Sequence, residues 1–447
     1  MRTPTTALLS LAAAAALLAL APAAGAAAGP WSEAQGFSAG SDIGGEPVPR
    51  AAIARDGTSA LAFHSKSSAL MLATRTATGR FGTPRVIERR GARDYSIAAA
   101  PGGAFLLAWE DSDGLHAAVR TKAGRAIMRR RYDSGPSSQI NGVQVAADPQ
   151  GGWVLAQRVF PQGAKKDRIY GVRALSLDPA GRQLGAVQDL GPGEFGIDAR
   201  QTQALAVAPD GRAVLTFRRE QPLGGPFGPP QPVVVATRPH GGTFGAPVGL
   251  AGDPAADPRV AIGGDGRTLI AATQIRSRGD AGAFGNPVVA GVSAAGVLGA
   301  PFGPALDHPK RAFAPSAAFT SAGRSVLVFQ LKEKSQPFSQ EAPVRAVAIA
   351  ADGTLGELQT LTSGRAKEPG VMALSGGRAL TMWSGRRGVD ARLAGPDGTF
   401  KRTAAPKGPP PAPFHSNSTN RDLRTAGRYA IFAWARAGRV RVTVRRF

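Results

Sequence analysis

Three features of the 447-residue sequence predict an all-β fold. Short apolar runs with period-two alternation recur along the chain, and Asp-Gly or Gly-Gly turns separate them, as expected for strands joined by hairpins. No segment sustains the periodicity and capping residues of an amphipathic helix. The 58 Gly and 36 Pro supply the turns that many short strands need, and the absence of Cys excludes disulfides, zinc ribbons and cysteine nucleophiles.

A glycine-containing turn recurs eight times, with successive turns 46 to 60 residues apart, at Gly57, Gly103, Gly151, Gly211, Gly266, Gly323, Gly377 and Gly427. Each turn lies between two extended segments, a third alternating run follows, and several units add a fourth segment, such as those opening at Phe81, Phe244 and Leu298. Four short strands repeated at about this spacing are typical of a β-propeller blade. We therefore predict a single β-propeller of eight four-stranded blades; seven remain an alternative if the last unit packs irregularly.

The two ends of the chain complement each other. The eighth unit stops at Phe447 after its third strand, and residues 30–40 form an aromatic-led segment that resembles a fourth strand without the first three. Pairing Trp31 to Phe37 against Val440 to Arg445 would complete the last blade and leave no open edge. We expect the ring to close in this way.

An aromatic residue follows the turn glycine by six or seven positions in six units, at Phe63, Trp109, Phe217, Phe329, Trp383 and Trp434. Gln157 and Ala272 occupy this place in the other two units. The same place in the second strand of each blade faces a neighbouring blade, so we interpret these side chains as core.

The amino terminus has the layout of a secretory signal peptide. Arg2 precedes an apolar run from Ala7 to Ala21, and small residues follow it up to Ala28. We predict a Sec-type signal peptide over residues 1–28 and a mature propeller domain over 29–447, secreted and without a membrane span. An uncleaved signal anchor is the alternative.

The formal net charge is +23, and 44 of the 54 basic residues are arginines. Such a charge favours contact with anionic polymers. The Ala, Gly, Pro and Arg excess is also what a GC-rich coding bias produces, and we give this background the larger weight. We expect weak, salt-sensitive adsorption to polyanions but no specific binding of nucleic acid.

The connection from the second to the third strand is long in units 3 to 6, where it starts near Phe160, Arg219, Arg276 and Lys332. Each connection carries a phenylalanine with Gly or Pro and cations nearby, which suits stacking and charge-assisted hydrogen bonding to a ligand. We term the predicted binding surface the lip, and its residues are Phe160, Arg218, Arg219, Phe227, Arg276, Arg278, Phe284, Lys332, Lys334 and Phe338. The alternative is that the phenylalanines fold inward and anchor the loops.

No motif for a metal or a cofactor is present. The five histidines lie in different units without ligand spacing, and Asp111 to Gly114 reads as a hairpin turn rather than a calcium loop. There is no P-loop and no G-x-S-x-G. We expect no cofactor, no metal and no catalytic residue set.

The repeat pattern resembles that of secreted bacterial β-propeller repeat proteins, with sialidase-like or WD40-like architecture, over essentially the whole mature chain. Sialidase blades also carry Asp-Gly turns followed by an aromatic, but their Asp-box, S-x-D-x-G-x-T-W, does not occur at Asp56–Thr58 or at Asp210–Arg212. A sialidase would also need an arginine cluster and a Tyr–Glu pair, for which Tyr170 and Glu220 are the candidates.

We therefore expect a secreted, monomeric and non-catalytic binding protein whose lip contacts an anionic polysaccharide, a cell-wall polymer or an extracellular protein. The alternative is a glycan-directed hydrolase or lyase that uses the central channel, so the question of enzymatic activity stays open. A structural surface protein without a small ligand is a third class.

Overall fold

The computed structural model of the protein describes sixteen stretches of the chain: residues 29–40, 48–89, 92, 94–132, 137–161, 171–193, 204–219, 232–251, 255–279, 282–306, 311–321, 323–332, 342–385, 388–406, 421–436 and 438–447. These residues form thirty strands and no helix. The predicted all-β class is confirmed.

The first four blades run in chain order as antiparallel four-stranded meanders: β2 (Arg50–Ile53), β3 (Ser59–His64), β4 (Leu70–Arg75) and β5 (Arg85–Glu88); β6 (Tyr95–Ala99), β7 (Phe105–Asp111), β8 (Gly114–Arg120) and β9 (Ala126–Tyr132); β10 (Ser137–Ala147), β11 (Trp153–Pro161), β12 (Gly171–Leu177) and β13 (Gln183–Pro192); β14 (Leu205–Val207), β15 (Ala213–Arg218), β16 (Val233–Arg238) and β17 (Val248–Gly249). The first strands of successive blades contact one another, which places them innermost, around the central axis.

The last four blades contain β18 (Ala255–Ile262), β19 (Thr268–Gly279) and β20 (Gly282–Val292); β21 (Arg311–Ser321), β22 (Arg324–Lys332), β23 (Ala342–Ile349) and β24 (Leu355–Leu374); β25 (Arg378–Gly385), β26 (Gly388–Ala394) and β27 (Phe400–Arg402); β28 (Arg421–Ala426), β29 (Tyr429–Arg436), β30 (Arg439–Arg446) and β1 (Gln35–Ser38). Strand β24 is both the outermost strand of blade 6 and the innermost strand of blade 7. In blade 5 the fourth segment pairs through two isolated bridges, Val289 to Phe302 and Val292 to Leu298.

The ring closes as the sequence predicts. Strand β1 pairs antiparallel with β30, and Phe37 lies opposite Val440. The backbone N–H of Ser32 extends the contact by donating to the carbonyl of Val444 over 2.8 Å. Blade 8 is thus built from both ends of the described chain, and the count is eight blades rather than seven.

Apolar side chains fill the spaces between neighbouring blades. The described residues form eight core clusters, one for each pair of adjacent blades, including the pair of blade 8 with blade 1. All six aromatics of the repeated position are at most 2% exposed, so their interpretation as core is confirmed. Burial of this apolar surface between blades is the main force that holds the ring together.

The hairpin turns follow from their sequences. Gly57 adopts a φ of +88°, which glycine reaches without strain, and the Asp56 carboxylate accepts a hydrogen bond from the Thr58 backbone N–H over 2.8 Å. Asp111 ends β7 and Gly114 begins β8, so this segment is the predicted hairpin turn.

The predicted signal peptide, residues 1–28, lies outside the described residues. Within the described part of the chain, no helix is long and apolar enough to cross a membrane.

Candidate functional site

The meander brings two kinds of connection to one face of the ring. Connections between the second and third strands lie on this face, and so do those from blade to blade, because the first strand of each blade begins here and the second ends here. We term it the upper face. Loops on one rigid face are where propellers place binding groups.

Three lip residues have described side chains, and all lie at strand ends on the upper face. Arg218 ends β15 and is half-buried, and Arg219 follows it and is exposed. The backbone N–H of Arg219 donates to the carbonyl of Pro232 over 3.0 Å, which closes the base of its loop. Lys332 ends β22 and is 3% exposed, so its ammonium group is tucked into the protein rather than offered to solvent.

For the other lip residues the structure describes only the backbone or nothing. Four lie within strands but have side chains outside the description, namely Phe160, Arg276, Arg278 and Phe284; the remaining three lie outside the described residues, namely Phe227, Lys334 and Phe338. Whether the phenylalanines point outward or inward therefore stays a prediction.

The expected long loop of unit 5 has a different form. Strands β19 and β20 remain paired as far as Gly279 opposite Gly282, so Arg276, Arg278 and Phe284 belong to a two-stranded ribbon. The ribbon forms because backbone pairing alone holds an antiparallel hairpin together beyond the core, with no need for apolar alternation. The long connection predicted here therefore consists largely of the ends of two paired strands, and it lies on the upper face.

A cavity of about 80 Å³ lies against the inner strands of blades 5 to 8. Its wall consists of residues 259–260 of β18, 316–317 of β21, 369–372 of β24 and 421–424 of β28, with Met382 and Phe432 behind them. These strands surround the central axis, so we term this space the axial cavity. Its volume suits the terminal group of a ligand rather than a drug-sized molecule, for which cavities of about 300–1,000 Å³ are usual.

The polar wall of the axial cavity is dominated by arginine. The guanidinium of Arg259 donates to the carbonyl of Pro369 over 3.3 Å, and that of Arg421 donates to the Ser384 hydroxyl over 2.5 Å. Arg424 completes the set on β28. Three arginines thus belong to the residues that line this space. The side chains of Arg421 and Arg424 leave opposite faces of β28, towards blade 7 and blade 1.

One carboxylate, Asp422, lies among the described lining residues, and it is engaged on both oxygens. One oxygen accepts a hydrogen bond from the Ala51 backbone N–H over 2.8 Å, and the other lies 3.0 Å from Nε of Arg424. Asp422 therefore ties blade 8 to blade 1 and offsets part of the arginine charge. Among the described lining residues, three arginines accompany this one carboxylate.

Arg50 adds to this electrostatic arrangement from blade 1. Its side chain is 5% exposed, and burial lowers the pKa of Arg50, while nearby Asp422 and Asp94 act in the opposite direction. Because the two carboxylates favour its charged form, the group of Arg50, Asp422 and Asp94 reads as a structural ion cluster beside the cavity.

The chemistry of these side chains suits contact with an anion. Arginine presents a planar fork of donors that matches carboxylate, sulfate and phosphate oxygens, whereas hydrolysis of a glycoside needs carboxyl groups poised on either side of the bond. The candidate pair Tyr170 and Glu220 lies outside the described residues. Within the described stretches, no group of three or more His, Cys, Asp or Glu could hold a metal ion.

Sequence reasoning missed the axial cavity. A usable indication was present, because the first strand of unit 8 carries Arg421, Asp422 and Arg424, whereas the first strands of units 1 and 2 are mainly Ala and Ile. Charged residues in an innermost strand indicate a polar axis. The sequence did not indicate that Arg259 of blade 5 lines the same cavity as these residues.

The fold defines the class of protein: an eight-bladed β-propeller. No protein-family model matches the chain. No curated protein sequence matches it either.

Solved structures that resemble the chain share its architecture at low identity. A puromycin hydrolase is 17% identical, with 91% of this chain and 61% of that chain covered and a TM-score of 0.47. A Hadza microbial sialidase is 10% identical over 73% of each chain, with a TM-score of 0.35. The β-propeller domain of the Trilobed protease from Pyrococcus furiosus is 9% identical, with 80% of this chain and 94% of that chain covered and a TM-score of 0.42. The chain spans about three-fifths of the length of the puromycin hydrolase, and the likeness concerns the fold alone.

Proposed function

We propose that the protein is a non-catalytic binding protein for an anionic polymer, such as an acidic glycan or a cell-wall polymer. The polymer lies across the upper face against the lip of blades 3 to 6, and one of its anionic groups enters the axial cavity. The observation that carries the proposal is that Arg259, Arg421 and Arg424 are among the residues that line a single cavity. Export by the segment at residues 1–28 is part of the proposal, since an extracellular polymer requires it.

The charge balance supports an anion as the bound group. Three arginines and one carboxylate are among the described lining residues, and that carboxylate, Asp422, pairs with Arg424. An anion in the cavity would also meet apolar residues, since Val371 and Phe432 belong to the same lining. Charge-assisted hydrogen bonds of this kind are each worth about 1.5–3 kcal/mol.

The test is a binding titration with soluble polygalacturonate, dextran sulfate and neutral dextran at about 0.15 M salt, where long-range adsorption to the basic surface is screened. We expect saturable binding to one or both anionic polymers and none to dextran. Arg421→Gln should weaken that binding by about tenfold or more, the loss expected for one charge-assisted hydrogen bond.

Arg428→Gln is the matched control, because it removes the same charge at the opposite, lower end of the same hairpin, where Arg428 is exposed. We expect it to bind within about twofold of the wild type by the screening argument. Equal weakening in Arg421→Gln and Arg428→Gln would reduce the effect to net charge and overturn the cavity. Phe227→Ala and Phe284→Ala test the lip in the same titration, and unchanged binding in both would remove the lip from the proposal.

The same polymers reveal the enzymatic alternative. Reducing ends indicate hydrolysis of the polymer, and unsaturated products indicate lysis. If either product accumulates with the wild type but not with Arg421→Gln, the protein is an enzyme that acts in the channel rather than a binding protein. We expect none.

A further inference from the structure

A second cluster of arginines lies far from the axis, in the groove between the outer halves of blades 1 and 2. It contains Arg85 of β5, Arg120 of β8 and Arg129 of β9. We term it the peripheral groove. Its residues belong neither to the lip nor to the axial cavity.

Strand register shows that the three side chains face the same space. Leu72 lies in the core between blades 1 and 2, and Arg85 is its cross-strand partner, so Arg85 faces blade 2. Ala118 lies in the same core and is opposite Arg129, so Arg129 faces blade 1. Arg120 lies two residues beyond Ala118 on β8 and therefore faces blade 1 as well.

Arg129 is well compensated. Its guanidinium contacts the Glu88 carboxylate, donates to the carbonyl of Ile87 over 3.2 Å and lies 5.3 Å from the ring centre of buried Trp109. The negative charge of Glu88 is thus paired with Arg129. Glu88 is the carboxylate that the described residues contribute to this groove.

Arg120 retains one hydrogen-bond donor without a partner. Its Nε atom is buried and has no hydrogen-bond partner. Burial lowers the pKa of Arg120, and the neighbouring charges of Arg85 and Arg129 lower it further. Burying a donor and a charge without a partner costs free energy, and the usual remedy is an opposite charge that accepts the hydrogen bond.

We propose that the peripheral groove is a binding site for a tetrahedral dianion, either inorganic phosphate or the phosphate end of a monoester, held by Arg120 and Arg85. Among the described residues, three guanidinium groups against one carboxylate leave two positive charges in this groove, which a dianion neutralises. The oxygens of a tetrahedral anion can accept hydrogen bonds from the guanidinium groups of Arg120 and Arg85 together, the geometry for which arginine is suited. Arg129 sets the wall of the site through its contact with Glu88.

The experiment is a calorimetric titration of the full chain with inorganic phosphate and, separately, with methyl phosphate, at pH 7.5 and constant ionic strength. We expect saturable binding of one equivalent with a Kd in the range of about 0.1–10 mM, ordinary for a small anion held by a few charged hydrogen bonds. Binding of both probes identifies a groove that is open to a monoester. Binding of inorganic phosphate alone identifies a site for the free ion, and either result supports the site.

Arg120→Gln should weaken the binding of phosphate by about tenfold or more, the loss of one charge-assisted hydrogen bond. Arg130→Gln is the matched control, since Arg130 is the exposed neighbour of Arg129 on the same strand and faces the other side, with Tyr132, towards blade 3. It should bind phosphate within about twofold of the wild type by the screening of exposed charges. Arg421→Gln should also bind phosphate normally, which separates this site from the axial cavity.

The Tm provides a second measurement, which also shows whether each variant is folded. Without phosphate, Arg120→Gln should melt at or above the wild-type Tm, because the substitution removes a half-buried charge that is repelled by Arg85 and Arg129. Phosphate should then raise the Tm of the wild type and of Arg130→Gln more than that of Arg120→Gln. If the wild type takes up neither probe saturably, or if Arg120→Gln and Arg130→Gln bind alike, the site does not exist; if Arg120→Gln fails to fold, Arg85→Gln decides by the same criteria.

Discussion

Gln157 occupies the place in blade 3 that an aromatic side chain fills in six other blades. It is fully buried, and neither its amide oxygen nor its amide nitrogen has a hydrogen-bond partner. It lies on the same strand face as Leu155 and Val159, which pack against blade 2. A buried amide without partners costs about 1–3 kcal/mol.

Gln157→Met should therefore raise the free energy of unfolding by about 1–2 kcal/mol, since methionine keeps the shape and removes the unsatisfied atoms. Chemical denaturation measures the change. The matched control is Gln330→Met, because Gln330 is equally buried but donates to the carbonyl of Ala366 over 2.7 Å. This control should lose stability, and a loss of similar size in Gln157→Met would mean that the Gln157 amide is satisfied after all.

At the residue scale, the sequence predicted what depends on local register. The turn glycine fixes the phase of the second strand, so Phe63 and Trp434 could be assigned to the core from their distance to that glycine alone. The direction of Arg120 and of Arg421 could not be assigned in this way, because it depends on which neighbouring blade each face meets. The sequence of one repeat unit does not show which charged residues of the neighbouring blade face its own.

Individual turns provide the clearest electrostatics at the scale of elements. Asp352 and Asp397 lie in the turns that join the third and fourth strands of blades 6 and 7. Their carboxylates accept hydrogen bonds from the backbone N–H groups of Thr354 over 2.9 Å and Thr399 over 3.0 Å. These bonds favour the charged form and lower the pKa of both carboxyl groups.

A lowered folded-state pKa means that the stabilising effect is present above the unfolded-state pKa of about 3.9 and is lost as the pH falls through the folded-state value. The double variant Asp352→Asn/Asp397→Asn should therefore lose less stability than the wild type between about pH 5 and pH 2. Thermal unfolding at a series of pH values measures this difference.

Asp113→Asn serves as the control for those turns, because it removes an exposed carboxylate that accepts no hydrogen bond among the described residues. Its loss of stability on acidification should match that of the wild type. A double variant with the same acid dependence as Asp113→Asn would show that the two turn bonds do not form in solution.

The sequence predicted most elements and missed two. Asp-Gly turns and alternating runs located the hairpins, since both the turn chemistry and the apolar period are local. The ribbon of β19 and β20 was missed because Arg276 to Phe284 lacks apolar alternation, and the continuity of β24 was missed because a strand shared by two blades has no marker at its midpoint.

At the scale of the molecule, contacts between distant parts of the chain shape the surroundings of the axial cavity. A hydrogen bond joins Arg259 of blade 5 to Pro369 of blade 7, and another joins Ala51 of blade 1 to Asp422 of blade 8. These pairs are 110 and 371 residues apart in the chain. The unit spacing predicted eight blades, but contacts at such separations could not be read from any one unit.

Strand β1 makes this closure, and the absence of Cys in the chain allows a direct test of its pairing with β30. Gly36 lies opposite Arg441, and a side chain at Gly36 would meet no atom within 4 Å. The hydrogen bond from the Ala39 N–H to the Gly438 carbonyl makes Gly36 and Arg441 a non-hydrogen-bonded pair, the closer of the two kinds and the better suited to a disulfide.

The most direct measurement is therefore the oxidation of Gly36→Cys/Arg441→Cys, compared with the displaced pair Gly36→Cys/Arg439→Cys. The closed eight-bladed ring predicts that the first variant forms an intramolecular disulfide in the monomer and gains about 2–4 kcal/mol of unfolding free energy, lost again on reduction. The displaced pair should react poorly. Equal reaction of both pairs, or disulfides only between molecules, would contradict the closed ring and with it the axial cavity.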